Sequence, residues 1–190
     1  MRKLIQMLVI ACMVVLGTQV AFANYDEGKI MEGADLLSIQ RIAIGAPLYP
    51  VVNEDAPNKE ELTQIISDAS RVAHGYEVLS YDTVAENINK ANGVNIKVLN
   101  KRQSTKLFKD NVAKYADAYV ILTVANNSRT TFFFDVFKAG TNELLYTYEI
   151  RANRSEGDSA NAYKNYCEQF FKHLDRAADS QIKKKFSKKE

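Results

Sequence analysis

Residues 118–125 read Ala-Tyr-Val-Ile-Leu-Thr-Val-Ala, a nearly continuous apolar run that is rich in strand-forming residues. A run of this kind is typical of a β-strand that is buried on both faces. Residues 130–138, Thr-Thr-Phe-Phe-Phe-Asp-Val-Phe-Lys, follow after a short polar turn, and residues 143–151 then alternate between apolar and polar types. Three such strands joined by short turns predict an antiparallel meander.

The second strand of this meander carries apolar residues on both faces. Phe132, Phe134 and Val136 share one face. Phe133 and Phe137 share the other, because side chains alternate along a strand. Helices on both sides of the sheet would bury both sets. Helices on one side only would leave Phe133 and Phe137 on an open face, where they are candidates for binding a partner.

The segment before the meander predicts two more strands with a helix between them. Residues 40–49 form the first strand, and residues 76–81 form the second. The helix covers residues 59–74. Asn58 precedes it as the cap, and Asn58 and Glu61 together match a capping box. A β-α-β unit of this kind joins two parallel strands of one sheet.

Three further helices complete the predicted order. They cover residues 83–91 after an Asp82 cap, residues 104–116, and residues 159–184. The order of elements is β-α-β-α-α-β-β-β-α. We therefore predict an α+β fold, an α/β sandwich in which helices pack on a mixed sheet of about five strands.

The amino terminus has the features of a secretory signal peptide. Basic residues precede an apolar stretch at residues 4–20, and residues 21–23, Ala-Phe-Ala, are of the type that a signal peptidase reads. We predict cleavage between Ala23 and Asn24, and hence an exported protein that is periplasmic or secreted. Two alternatives remain open, namely retention of the stretch as a membrane anchor and a lipoprotein signal at Cys12.

The chain is divided into four parts on these grounds: a signal peptide at 1–23, a lead-in segment at 24–39, a single domain at 40–182 and a basic tail at 183–190. Loss of the signal leaves acidic and basic residues balanced, and no nucleic-acid partner is expected. The lysines of the tail are Lys183, Lys184, Lys185, Lys188 and Lys189. They suit weak contact with an anionic membrane or polymer, or they complement the negative end of a helix.

The motifs of the common catalytic sites are missing from the sequence. It has no glycine-rich phosphate loop, no His-Glu-x-x-His, no Cys-x-x-Cys and no serine-hydrolase elbow. We therefore predict no enzyme activity, no cofactor and no metal. The alternative is a hydrolase or a small-ligand-binding protein whose site is assembled from distant residues, with Asp117, Asp135, Glu149 and His173 as candidates.

Four other features have both a structural and a functional interpretation. Cys167 lies on the apolar stripe of the last helix, which favours core packing over a reactive thiol or an intermolecular disulfide. His74 sits where a helix ends, and His173 is expected at a solvent edge. The turn Asn126-Asn127-Ser128-Arg129 is either a plain hairpin turn or a partner contact, in which Asn126, Asn127 and Arg129 offer hydrogen-bond donors.

Three stretches of the sequence resemble a known group. Residues 41–47 read Arg-Ile-Ala-Ile-Gly-Ala-Pro, residues 115–121 read Tyr-Ala-Asp-Ala-Tyr-Val-Ile, and a hairpin ends in Glu-Leu-Leu-Tyr at 143–146. Together they resemble the anticodon-binding-like α/β module of bacterial envelope proteins. This group includes the TolB amino-terminal domain, the curli secretion protein CsgG and the penicillin-binding-protein activator LpoB. The resemblance covers about residues 40–151.

The resemblance implies a non-catalytic periplasmic module that binds other envelope proteins. It transfers no functional residue, because the group has no shared active-site motif. The chain departs from the group in having no clear lipobox and no propeller or pore-forming segment. Our hypothesis from the sequence is an exported, non-catalytic accessory or interaction protein of the cell envelope, with an envelope protein as its partner.

Overall fold

Six strands form one sheet in a computed structural model of the chain, which describes residues 26–49, 56–126, 129–153 and 158–187. The predicted signal peptide with its cleavage position at Ala23 and Asn24 lies outside the described residues. So do Asn127 of the predicted turn and Lys188 and Lys189 of the tail.

The sheet combines parallel and antiparallel pairs. Its strands are β1 (Asp26–Ile30), β2 (Arg41–Ile44), β3 (Glu77–Leu79), β4 (Ala118–Asn126), β5 (Thr130–Lys138) and β6 (Leu144–Arg151). Their spatial order is β1-β6-β5-β4-β2-β3. β2 is parallel to both β3 and β4, and the other pairs are antiparallel. The meander β4-β5-β6 is therefore confirmed, as is the parallel β-α-β pair.

Within the described ranges, four α-helices accompany the sheet. They are α1 (Lys59–Ala69), α2 (Tyr81–Asn92), α3 (Lys101–Asn111) and α4 (Ala160–Ser187). The predicted α+β class with helices on a mixed sheet is confirmed. The sheet has one strand more than the five that the sequence pattern indicated, because β1 lies in the segment 24–39, which we had interpreted only as a lead-in.

The helix ends follow local capping chemistry. The predicted capping box of α1 is present, with Asn58 Oδ1 accepting from Glu61 N at 2.9 Å. The predicted cap of α2 is wrong: Ser80 Oγ accepts from Thr83 N at 3.1 Å, and Asp82 lies in the first turn. α3 begins three residues before the predicted start, because Asn100 supplies its cap.

One face of the sheet, which we call the covered face, packs against α1 and α4 and forms the main core. Phe134 of β5 stacks on Phe170 of α4 with 4.4 Å between ring centroids and 4° between ring planes. Further buried members are Ile42, Val120, Leu122, Phe132, Tyr148, Leu62, Tyr163, Tyr166, Cys167 and Phe171. The interdigitation of these side chains fixes the sheet against its two helices.

The other face is covered in part. α2 and α3 pack over β2 and the beginning of β4, and they form a second core around Ala43 and Tyr119. Its other buried members are Val84, Ala85, Ile88, Ile96, Phe108, Val112 and Ala116. Among the described residues no member of this second core comes from β6 or β1. The helical cover of this side therefore ends within the sheet.

Candidate functional site: the open face of the sheet

The part of the second sheet face that continues past α2 and α3 is the candidate site, and we call it the open face. Strand register places its side chains in rows. One row runs Ile121, Asp135, Thr147, Lys29, and the next runs Thr123, Phe133, Glu149, Glu27. Apolar side chains dominate the β4 and β5 end, whereas charged side chains dominate the β6 and β1 end.

Phe137 lies at the margin of the open face, where helical cover begins. Its ring stacks on Tyr119 with 5.3 Å between centroids, and Lys109 Nζ of α3 lies 5.7 Å from its centroid. Burial raises the pKa of Tyr119 to about 12. The protonated hydroxyl donates to Asn142 Oδ1 at 2.6 Å. Phe137 is thus half-buried and held in a defined orientation by the second core.

Phe133 lies further from the helices. It is opposite Thr123 on β4 and Glu149 on β6. Within the described part of the chain it packs into neither of the two cores, although it is half-buried. The two phenylalanines that the sequence pattern selected therefore share a face but differ in support: Phe137 belongs largely to the fold, and Phe133 is the more available of the two.

The polar rows of the open face are internally paired. Thr147 Oγ1 donates to Asp135 Oδ1 at 2.7 Å. Arg151 Nε lies 2.9 Å from Glu149 Oε1, and both side chains are partly exposed. These contacts order the polar end of the face without removing its charges from solvent.

A groove of about 180 Å³ opens between the open face and α3. It is lined by Ile121, Thr123, Asp135 and Phe137 of the sheet, by Leu48 after β2 and by Lys109 of α3, among others. Pockets for drug-sized ligands begin at roughly 300 Å³, so this groove suits a single apolar side chain. Its charged lining residues are Lys109 and Asp135.

The groove owes its shape to the chain that follows β2. Gly45 N donates to Val120 O at 2.9 Å, and Leu48 N donates to Leu122 O at 2.8 Å. The regular strand β2 ends at Ile44, earlier than the predicted end at residue 49. The stretch that follows continues alongside β4 through these two hydrogen bonds. A Cβ at Gly45 would meet the end of the Ile121 side chain and would lie 3.2 Å from Val120 O, so glycine suits this close approach.

The four residues proposed for an alternative hydrolytic site are not brought together. Asp135 and Glu149 lie on the open face, and only Asp135 lines the groove. Asp117 Oδ2 accepts from the backbone amides of Gln40 and Arg41 at 3.0 and 2.9 Å, so it fastens the start of β2. His173 belongs to α4, which packs on the opposite side of the sheet.

His173 and Asp26 form a contact that sequence spacing did not reveal. His173 Nε2 lies 2.9 Å from Asp26 Oδ2, and Tyr148 Oη donates to the same oxygen at 2.9 Å. The His173 ring also lies 4.8 Å from the Tyr148 ring. The His173 side chain is 33% exposed, and its contacts tie β1 to α4.

The remaining candidates lie apart from the open face or at its end. Cys167 is fully buried in the main core, and burial raises the pKa of its thiol, which makes the group unreactive. Asn126 and Arg129 are exposed at the β4–β5 turn, at the Phe133 end of the open face. His74 is exposed after the first helical segment, and its backbone amide donates to Asp175 Oδ2 at 3.1 Å.

The described residues contain no cluster of three or more histidine, cysteine, aspartate or glutamate side chains with the spacing of a metal site. Within those same ranges, no helix has the length and apolar character needed to span a bilayer.

Comparison with known proteins finds relatives in structure only. No protein-family model and no curated protein sequence matches the chain. A variant of the PelC dodecamer from Paraburkholderia phytofirmans has a TM-score of 0.50 and 8% identity, over 80% of this chain and 98% of PelC. The LpoB C-terminal domain from Escherichia coli has a TM-score of 0.48 and 15% identity, over 65% and 90% of the two chains.

A DUF4136 family protein from Bacteroides thetaiotaomicron gives a TM-score of 0.40 at 7% identity, over 84% of this chain and 95% of that protein. LpoB belongs to the group that the sequence resembles. At such low sequence identities, structural similarity shows a shared fold and nothing more. Of these three proteins, PelC has the highest TM-score. The chain therefore shares its α+β architecture with PelC.

Proposed function

We propose that this chain is an exported, non-catalytic module of the bacterial cell envelope that binds a protein partner through its open face. The observation that carries the proposal is Phe133, an aromatic side chain in the middle of a sheet face that the described helices leave uncovered. The secretory features of residues 1–23 and the scattered placement of the alternative catalytic residues support it.

The chemistry of the open face suits a protein surface. Interfaces combine an apolar centre with a polar rim. Here Ile121, Phe133 and Phe137 supply apolar area, and the charged β6 and β1 end supplies a rim. The groove beside α3 has room for one apolar side chain of the partner. Lys109 and Asp135 line the groove and offer one positive and one negative group. These groups can orient the polar residues of the partner that lie next to the inserted side chain.

Position-specific photocrosslinking in living bacteria tests this proposal. A photoreactive phenylalanine analogue is placed at Phe133, and the matched control places it at Val98. Val98 is an apolar residue that is 78% exposed and lies in the short helical turn between α2 and α3. We expect one dominant adduct of defined mass from position 133 and none of that mass from position 98.

Mass spectrometry of the adduct identifies the partner. PelC, which shares the fold, is described as a dodecamer, and the adduct mass separates a second copy of this chain from a different protein. A Phe133→Ser variant with the analogue at Thr123 should lose the same adduct, because the aromatic anchor is gone. Identical adduct patterns at positions 133 and 98 would overturn the proposal.

A further inference from the structure

The last two turns of α4 expose apolar side chains. Ile182 is 40% exposed and Phe186 is 69% exposed. In the described parts of the chain only Val94 and Val98 are comparable large apolar residues, and they lie elsewhere, next to α2. Ile182 and Phe186 are four residues apart, so they lie side by side on one face of the helix.

Lysines surround this apolar pair. Lys183 and Lys185 flank it on the helix surface, and Lys184 lies on the opposite side, as the 100° rotation per residue requires. All three lysines are exposed. Residues 181–187 contain no acidic side chain. Of the two lysines beside the apolar pair, Lys185 pairs with Asp35, and Lys183 is exposed to solvent.

The helix end is held to the domain, which keeps the pair facing outward. Gln181 Nε2 donates to Ala34 O at 2.8 Å, and Gln181 Oε1 accepts from Leu36 N at 2.9 Å. Lys185 Nζ lies 3.3 Å from Asp35 Oδ1. Gln181 and Lys185 therefore form the side of α4 that contacts the domain at this end of the helix. Ile182 and Phe186 lie next to that side and face solvent.

Stabilisation of the helix end explains the lysines of this segment but not its exposed apolar residues. Lysines in the last turn interact favourably with the negative end of the helix. That interaction does not require apolar neighbours, and an exposed phenylalanine favours removal from water. Apolar residues interleaved with lysines on a helix surface are the composition of segments that lie in the interface of an anionic bilayer.

We propose that the carboxy-terminal turns of α4 dock on the surface of an anionic lipid bilayer, with Phe186 and Ile182 inserted at the headgroup level and Lys183 on the lipid phosphates. Asp179 is exposed one turn before Ile182 on the same side of the helix. Its charge disfavours deeper contact, so the helix meets the bilayer with its tip and not along its length. The open face is not part of this contact.

Vesicle co-sedimentation of the chain recovered after export, with its amino terminus determined, tests the proposal. Vesicles of phosphatidylcholine alone are compared with vesicles that contain phosphatidylglycerol. We expect binding to the anionic vesicles only. A Lys183→Gln variant should bind about fivefold more weakly. An Ile182→Ser/Phe186→Ser variant should bind at least about tenfold more weakly.

Lys164→Gln is the matched control, because Lys164 is exposed in the second turn of the same helix. It should change binding by less than about twofold. Equal binding to both vesicle types would overturn the proposal, as would control-like binding by Ile182→Ser/Phe186→Ser. So would a change of molar mass in light scattering for that variant with unchanged vesicle binding, which would assign the pair to a second copy of the chain.

Discussion

The two faces of β5 use the same residue type for different purposes. Phe132 and Phe134 point to the covered face and are fully buried under α4. Phe133 and Phe137 point to the other face and are half-buried. The alternation of the strand decides which face a side chain joins, but the reach of the helices decides whether that face becomes core. A run of aromatic residues is therefore no measure of burial on its own.

The largest expected effect separates two neighbours in the sequence. Phe134→Ala should lower the free energy of unfolding by about 3–5 kcal/mol, because it leaves a cavity against Phe170 in a close-packed core. Phe133→Ala should cost about 1 kcal/mol, since its side chain packs into neither core. Urea unfolding of both variants measures the difference. Equal losses would show that the open face is core as well.

A smaller effect is expected at the border between the two regions. Gly45→Ala should lower the free energy of unfolding by about 1 kcal/mol, because the new methyl group must turn the end of the Ile121 side chain and would lie 3.2 Å from the backbone oxygen of Val120. The paired variant Gly45→Ala/Ile121→Val removes the clashing methyl and should recover part of the loss. If the second variant is no more stable than the first, the close approach to Ile121 is not the cause.

The smallest effect concerns pH and the covered side. Burial lowers the pKa of His173, and the nearby Arg176 adds to this, whereas Asp26 acts in the opposite direction. The unfolded chain, with a histidine pKa of about 6.5, then binds the proton more readily than the folded chain. The free energy of unfolding is therefore highest, as far as His173 is concerned, above this pH. It decreases as the pH falls through 6.5 towards the pKa of His173 in the folded chain.

Urea midpoints measured at several pH values between about 8 and 5 check this expectation. His173→Gln should flatten the slope. Asp26→Asn should steepen it, because it removes the carboxylate that favours the charged imidazole. A slope in His173→Gln that equals the slope of the parent chain would assign the pH dependence to other groups.

The strands and helices with strong periodicity were predictable, and the weakly patterned ones were not. β5 and β6 alternate so clearly that their pairing and faces follow from the sequence. β1 was missed because its residues, Asp-Glu-Gly-Lys-Ile, offer one apolar side chain and no alternation. Its place is set by partners far along the chain, among them Tyr148 and His173.

The candidate site shows the same division. Sequence alternation placed Phe133 and Phe137 on one face, and the structure has them there. The groove was not predictable, because Leu48, Lys109 and Asp135 come from three separate elements that meet only in the fold. The sequence pattern predicted Asp82 as the cap of α2, whereas the structure places the cap two residues earlier, at Ser80.

The pairing of β1 with β6 has a consequence for how the chain acquires its structure. The hydrogen bond from Tyr148 to Asp26 spans 122 residues. Pairings of such high contact order form slowly, since the intervening chain must first be arranged. A ribosome releases β1 long before β6, so this strand waits as an unpaired segment. Its charged residues, Glu27 and Lys29, make it a poor template for aggregation during that interval.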